Sequence, residues 1–277
     1  KHENHTPIGA FKIRGGIAYM DWLKRSGRKV NGVISATRGN HGQSIALAAR
    51  RADLPATIVV PHGNSVEKNA AMEAVGAELV VHGRDFDEAK QHAASLAGEK
   101  GLHFVPSFDP LLVKGVATYA LELFRAVADL HTVYAPIGMG SGICGLIAVR
   151  DLLGLTTDIV GVVAEVAPAV ALSVEAGHPV PTNSARTFAD GMACREPDPQ
   201  ALAIIRKGAA RIVRVGEDDI AGAIRAYYAA THNIAEGAGA APLAALLKER
   251  ERMQGNRVGL ILSGGNIDTD VLRVVLE

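Results

Sequence analysis

The chain is short of several features that would each announce a class of protein. It carries no charge imbalance: 29 Lys and Arg face 29 Asp and Glu, for a formal net charge of zero. A nonspecific nucleic-acid binder shows a basic excess, and here no Lys/Arg cluster is interleaved with aromatics, which make up only 4% of the residues. No apolar run approaches the ~20 residues of a membrane span; stretches such as Ile159 to Ala164 have strand length. There are only two cysteines, Cys144 and Cys194, without partners at metal-ligand spacing, so they read as reduced thiols of a cytoplasmic protein. The chain also lacks an initial Met, a signal-peptide pattern, a fixed-period repeat and a low-complexity linker. Its opening, Lys1-His2-Glu3-Asn4, reads as the interior of a longer chain.

What is there in excess is glycine: 30 of 277 residues, against a usual share of roughly 7%. Short apolar runs alternate with amphipathic stretches. Strands are expected at Val33–Ala36, Ala56–Val60, Ala77–Val81, His103–Val105, Thr132–Ile137, Ile159–Ala164, Arg211–Val215 and Arg257–Leu262. Helices are expected at Gly42–Ala52, Val66–Val75, Asp85–Ala97, Leu111–Val127, Gly142–Leu153, Glu217–Thr231 and Pro242–Arg252. Residues from Ala167 to Met192 include Pro168, Pro179 and Pro181 and read mostly as loop. This alternation predicts an α/β protein of two lobes, each a parallel sheet covered by helices on both faces.

In such sheets ligands gather where strands end and helices begin. Four places carry chemistry. Lys1 to Gly16 reads as a Gly/Pro-constrained loop around Phe11-Lys12. A lysine beside an aromatic ring there is desolvated, which lowers its pKa and frees the amine as a nucleophile; the plain alternative is a solvated loop lysine. Thr37-Arg38-Gly39-Asn40-His41 follows a strand and opens a helix, whose free amides suit a carboxylate; the plain alternative is that Thr37 or Asn40 merely caps the helix. Gly138-Met139-Gly140-Ser141-Gly142 lies in the same position four strands on, and its glycines let the backbone approach a phosphate. Gly140, Gly142 and Gly145 also satisfy G-x-G-x-x-G, with Glu165 twenty residues later, so a dinucleotide-linked oxidoreductase is a rival reading. Ser263-Gly264-Gly265-Asn266 places a neutral hydroxyl at a further strand end.

Together the four segments resemble the threonine dehydratase and serine racemase family of pyridoxal phosphate enzymes, with the tryptophan synthase β-like fold. K-x-E-x-x-x-P-x-G-x-F-K-x-R-G is met by Lys1, Glu3, Pro7, Gly9, Phe11, Lys12, Arg14 and Gly15, and G-N-H-G-Q by Gly39 to Gln43. The Gly-rich loop, Ala189-Asp190-Gly191 and S-G-G-N follow in the family's order over nearly the whole chain. The resemblance implies a large cofactor-binding lobe (1–31 and 112–277) and a small mobile lobe (32–111). It implies Lys12 as the catalytic lysine that holds pyridoxal 5'-phosphate, with Phe11 beside the cofactor and Asn40 on its ring hydroxyl. The amides of Gly138, Met139, Gly140, Ser141 and Gly142 would hold the phosphate, Glu236 would lie near the ring, and Ser263 would face the pyridine nitrogen. Thr37, Gly39, Asn40 and His41 would meet the substrate carboxylate, with Arg38 also among the substrate-binding residues. It also favours pyridoxal phosphate over a dinucleotide at the Gly-rich loop.

The activity so implied is that of a dehydratase (ammonia-lyase), turning a β-hydroxy amino acid such as threonine or serine into a 2-oxo acid and ammonia. Lys12 would serve as general base, and a serine at the ring nitrogen suits rapid loss of a β-hydroxyl. Departures from the family narrow this. Ala10 replaces a common Ser before Phe-Lys. Arg38 stands where racemases carry a Ser that acts as second acid or base; arginine stays protonated, which demotes racemisation. Arg38 reads equally as a contact for a bulkier or anionic substrate (phenylserine, hydroxyaspartate or a hydroxyectoine-derived amino acid) or as a solvated residue. Ala169 and Ala171 follow Glu165 where a second carboxylate would be needed, so no metal is expected. A cofactor-free binding relative is disfavoured by the intact Lys12. The assembly expected is a homodimer with a small-molecule amino acid substrate. Several tens of residues are expected ahead of Lys1, and the 11 residues after Asn266 leave no room within this sequence for a C-terminal regulatory domain.

Overall fold

The structure, a computed structural model, describes all 277 residues. Its contacts divide the chain into two compact units, residues 6–115 and residues 1–5 with 116–277. In the first, β1 (Val33–Ala36), β2 (Ala56–Val60), β3 (Glu78–Val81) and β4 (His103–Phe104) form a parallel sheet in the order β3-β2-β1-β4. Val33 pairs with Ala56 and Ala36 with Val59. Every residue of β1 and β2 is buried, which is why they read as continuous apolar runs rather than alternating ones. The period of two still sorts their side chains. Val33, Ile58 and Val60 pack with Tyr19, Met20, Leu23, Ile45 and Met72, while Ile34, Ala36 and Val59 meet Ala89 and Ala93 on the other face. The covering helices are α1 (Lys12–Arg25), α2 (Asn40–Arg51), α3 (Val66–Ala74) and α4 (Phe86–Lys100). Ser65 caps α3 by accepting from the Lys68 amide, and Asp85 caps α4 by accepting from the Asp87 and Glu88 amides.

Helix α5 (Pro110–Ala126) leads into the second unit. There β5 (Thr132–Pro136), β6 (Asp158–Ala164), β7 (Arg211–Val215) and β8 (Val258–Leu260) form another parallel sheet, in the order β7-β6-β5-β8. Residues 1–5 run beside β8: the Lys1 terminal amine donates to the Leu260 carbonyl, and the Glu3 amide to the Leu262 carbonyl at 2.9 Å. Around the sheet lie α6 (Ser141–Leu152), α7 (Ala169–Ala176), α8 (Pro199–Gly208), α9 (Glu217–Thr231), α10 (Gly237–Lys248) and α11 (Thr269–Leu276), with a 3₁₀ turn at Asp190–Met192. Cys144 and Cys194 are both free and buried here. No helix is long and apolar enough to cross a membrane.

Five elements differ from the sequence reading. Lys12 does not sit in a loop: it is the first residue of α1, and Gly15 and Gly16 lie inside that helix. Gly16 is there for packing, since a Cβ would lie 2.3 Å from Ser44 Oγ of α2. Helix α7 lies within the segment expected to be mostly loop. Helix α8, with Pro199 at its start and Asp198 capping it through the Gln200 and Ala201 amides, was not expected, nor was the terminal α11. Helix α10 begins five residues before Pro242, which stands inside it.

Candidate active site

In the unit of residues 6–115, the end of β1 runs through Thr37, Arg38 and Gly39 into α2. Thr37 does cap that helix: its Oγ1 accepts the Gly39 amide at 2.9 Å and the Gly42 amide at 3.2 Å. Gly42 makes this fit possible, because a Cβ there would lie 2.4 Å from both Met72 Sδ and Thr37 Cγ2. The N-cap itself is Gly39, which has no side chain to offer. Asn40 and His41 form the first turn. His41 is 8% exposed, and its Nε2 is buried with no hydrogen-bond partner. Burial, and then the charge of Lys12, push the imidazole pKa down to about 3, so His41 is neutral at ordinary pH.

Lys12 is anchored in the same unit from its backbone. The Ser44 hydroxyl of α2 donates to the Lys12 carbonyl at 2.7 Å, and the Gly16–Ser44 approach presses α1 onto α2. The Lys12 Nζ lies 5.2 Å from the centroid of the Phe11 ring. Thus Phe11, Lys12, Thr37, Arg38, Gly39, Asn40 and His41 belong to one pair of packed helix starts. Ser44, which fixes the lysine backbone, was not singled out in the sequence; no local signal marks it.

In the other unit, β5 delivers the chain through Ile137 to Gly138. Gly140 has φ +95°, a left-handed conformation that favours glycine, and it is the N-cap of α6 with no side-chain hydrogen bond. The Tyr119 hydroxyl of α5 donates to the Gly142 carbonyl at 2.8 Å and steadies the first turn. Gly138 is in close backbone contact: a Cβ would lie 2.2 Å from the Gly191 carbonyl oxygen. Gly239 in α10 likewise approaches Gly264, whose carbonyl oxygen would be 2.4 Å from its Cβ. Glu236, 3% exposed, is the N-cap of α10, and its amide donates to the Gly264 carbonyl at 3.1 Å. Ser263 is 3% exposed beside it in sequence. Gly138 to Gly142, Ala189-Asp190-Gly191, Glu236 to Gly239 and Ser263-Gly264 are therefore gathered at one end of this unit's sheet.

Taken by itself, each unit carries residues of the kind that pyridoxal phosphate requires. The α6 turn has a glycine N-cap and no room for a Cβ at Gly138, as a cradle of amides for a phosphate requires. Lys12 supplies a primary amine for an aldehyde, and Ser263 a buried neutral hydroxyl. The alternative dinucleotide fingerprint is explained otherwise at its third glycine: a Cβ on Gly145 would lie 3.2 Å from the backbone of Ala117, so that glycine serves the packing of α6 on α5. No group of three or more His, Cys, Asp or Glu side chains is assembled as a metal centre.

Comparison with known proteins agrees with this reading. Residues 1–264 match the family described as pyridoxal-phosphate dependent enzyme. The chain is 38% identical to an L-threonine ammonia-lyase of Geobacter sulfurreducens over 278 aligned residues, all of this chain and 69% of that protein. It spans about half, 54%, of several longer biosynthetic L-threonine dehydratases. Among solved structures, the processed threonine deaminase isoform 2 of Solanum lycopersicum is 34% identical, with TM-score 0.91 over 99% of this chain and 81% of that one. A pyridoxal 5'-phosphate-dependent aspartate racemase is 28% identical, with TM-score 0.93 over 98% of this chain and 85% of that one. The chain belongs to the family of pyridoxal-phosphate dependent enzymes, with the two-sheet α/β fold of its tryptophan synthase β-like members.

Proposed function

We propose that the protein is a dehydratase of β-hydroxy amino acids, releasing a 2-oxo acid and ammonia from threonine, serine or a close analogue. The observation that carries this is the 38% identity, over all of this chain, to an L-threonine ammonia-lyase. The aspartate racemase has the same fold, so fold alone does not separate elimination from racemisation. Arg38 makes the difference: it stands where racemases place a second acid or base, and a guanidinium does not give up its proton at working pH.

When bound, pyridoxal phosphate supplies an electron sink for charge developing at the substrate Cα. Lys12 Nζ would be the amine that holds the cofactor, and the same amine would serve as the base for the substrate Cα proton. The amides of Gly138 to Gly142 would hold the phosphate, Asn40 would bond the ring hydroxyl, and Phe11 and Glu236 would lie near the ring. Ser263 would offer the ring nitrogen a neutral hydroxyl rather than a carboxylate, a partner that would suit prompt departure of the β-hydroxyl. The α2 turn, with Thr37, Gly39, Asn40 and His41, orients the α-carboxylate; neutral His41 does this without competing for the proton.

The division into a large lobe (1–31 and 112–277) and a small mobile lobe (32–111), the cytoplasmic location and a homodimer are part of the same proposal. Visible absorbance of the purified protein, lost in Lys12→Ala, and 2-oxo acid formation from threonine, serine or phenylserine are the expected results. Formation of the D-enantiomer without oxo acid overturns the proposal.

A further inference from the structure

The turn between β1 and α2 carries a charge that the roles above leave unused. Arg38 makes no ion pair or hydrogen bond, and its Nε is buried without a partner. A guanidinium N–H withdrawn from water and left unmet is costly, so the position is suited to an anion that arrives with a ligand. Nothing else on the turn serves that purpose in its place. The Thr37 Oγ1 is occupied by the Gly39 and Gly42 amides. His41 is neutral. The buried stem of Lys68 lies against the turn, since a Cβ on Gly39 would lie 2.6 Å from Lys68 Cδ.

We propose that Arg38 is a specificity-determining residue that binds a second carboxylate, borne on the β-carbon of the substrate. The preferred class is then a β-hydroxy amino acid with an anionic side chain, of the 3-hydroxyaspartate type. The α-carboxylate goes to the first turn of α2, and the β-carboxylate to the guanidinium. A methyl in place of the β-carboxylate leaves the guanidinium unmet, and sites built to bond a polar group reject analogues that lack it. The chemistry balances without a further reactant. Loss of the α-hydrogen and β-hydroxyl removes water, hydrolysis of the released enamine returns it, and the net products are oxaloacetate and ammonia.

Resting on the β-hydroxy amino acid reading, the proposal is tested in two arms. The first compares kcat/KM for 3-hydroxyaspartate and threonine in wild type, Arg38→Gln and Arg38→Lys, following 2-oxo acid. The ratio of the two should fall by at least about tenfold in Arg38→Gln, with Arg38→Lys keeping part of the preference through its charge. An equal fall for both substrates, or an unchanged ratio, overturns the proposal. The second arm measures calorimetric binding of succinate and of butyrate to the holoenzyme. Succinate should bind more tightly, and Arg38→Gln should abolish that advantage. No advantage in wild type, or one that survives the substitution, overturns the proposal whatever the turnover data show. A succinate preference that depends on Arg38, in an enzyme that turns over neither amino acid, supports the anion site and refutes the dehydratase reading instead.

Discussion

Gly138→Ala is the sharpest test of the phosphate cradle. A Cβ at 138 would lie 2.2 Å from the carbonyl oxygen of Gly191, whereas close C···O contacts in proteins settle near 3.3 Å. One side must therefore give by about 1 Å. Gly191 has little room to retreat, because its own Cβ position already lies 2.9 Å from the Ala238 Cβ of α10. The displacement falls on the segment that runs from Gly138 into α6, whose amides are proposed to hold the phosphate. Overpacking of this kind costs about 1–3 kcal/mol. Falling on the proposed cradle, that cost should lower pyridoxal phosphate affinity by roughly 10- to 100-fold, read from absorbance during cofactor titration. Gly222→Ala is the control. Nothing lies within 4 Å of a Cβ at that α9 position, so the variant should keep wild-type cofactor affinity and gain about 0.5–1 kcal/mol from helix propensity. Wild-type cofactor affinity in Gly138→Ala would show that this loop is not the cradle.

Three further outcomes follow from the same geometry. Thr37→Val keeps the methyl packed on Gly42 but strips the acceptor from the Gly39 and Gly42 amides; it should cost about 1–3 kcal/mol in chemical denaturation, and an unchanged midpoint refutes the cap. Gly16→Ala should push α1 from α2 and lower both stability and turnover; adding Ser44→Ala should not restore them, because the Ser44 carbonyl oxygen also lies 2.8 Å from the new Cβ. His41 has its pKa lowered to about 3 by burial and then by Lys12. The unfolded chain binds that proton first, so this contribution is complete above pH ~6.5 and is lost as pH falls toward 3. Between pH 7 and 5 the wild type should lose about 2 kcal/mol more than His41→Asn in urea titrations; equal losses refute a buried neutral imidazole.

Strands β1, β2 and β7 begin and end where the sequence places them. The first two are buried along their length, and such a strand announces itself by β-branched residues and a closing turn. Helix α1 was hidden by Gly15-Gly16, which in isolation favour a loop by about 1 kcal/mol each. The reason for Gly16 lies on α2, at Ser44, and no local window contains it. Helix α10 was hidden at its start for the same kind of reason. Glu236-Gly237-Ala238-Gly239 has poor helix propensity, yet the backbone of Gly264 must approach Gly239 more closely than any side chain allows. Helix α8 is a different case: Asp198-Pro199 is a start signal visible in the sequence, and the cap is made as that signal requires.

The excess of glycine follows from these approaches, and the pattern of helix caps shows what the glycines expose. Helices α3, α4 and α8 start on Ser65, Asp85 and Asp198, whose side chains occupy first-turn amides. Helices α2 and α6 each follow a strand that is buried along all or nearly all of its length and start on a glycine. At α2 Thr37 reaches in from the turn and takes two amides, so that helix start is already partly satisfied. At α6 the N-cap is Gly140, which has no side chain to do so. The placement proposed above is in keeping with this: the cofactor phosphate, with more charge and more acceptor oxygens, at the start of α6, and the singly charged α-carboxylate at the partly capped start of α2. A substrate with a second negative charge then needs a cation that neither helix start provides, and on the α2 turn Arg38 is the side chain left to supply it.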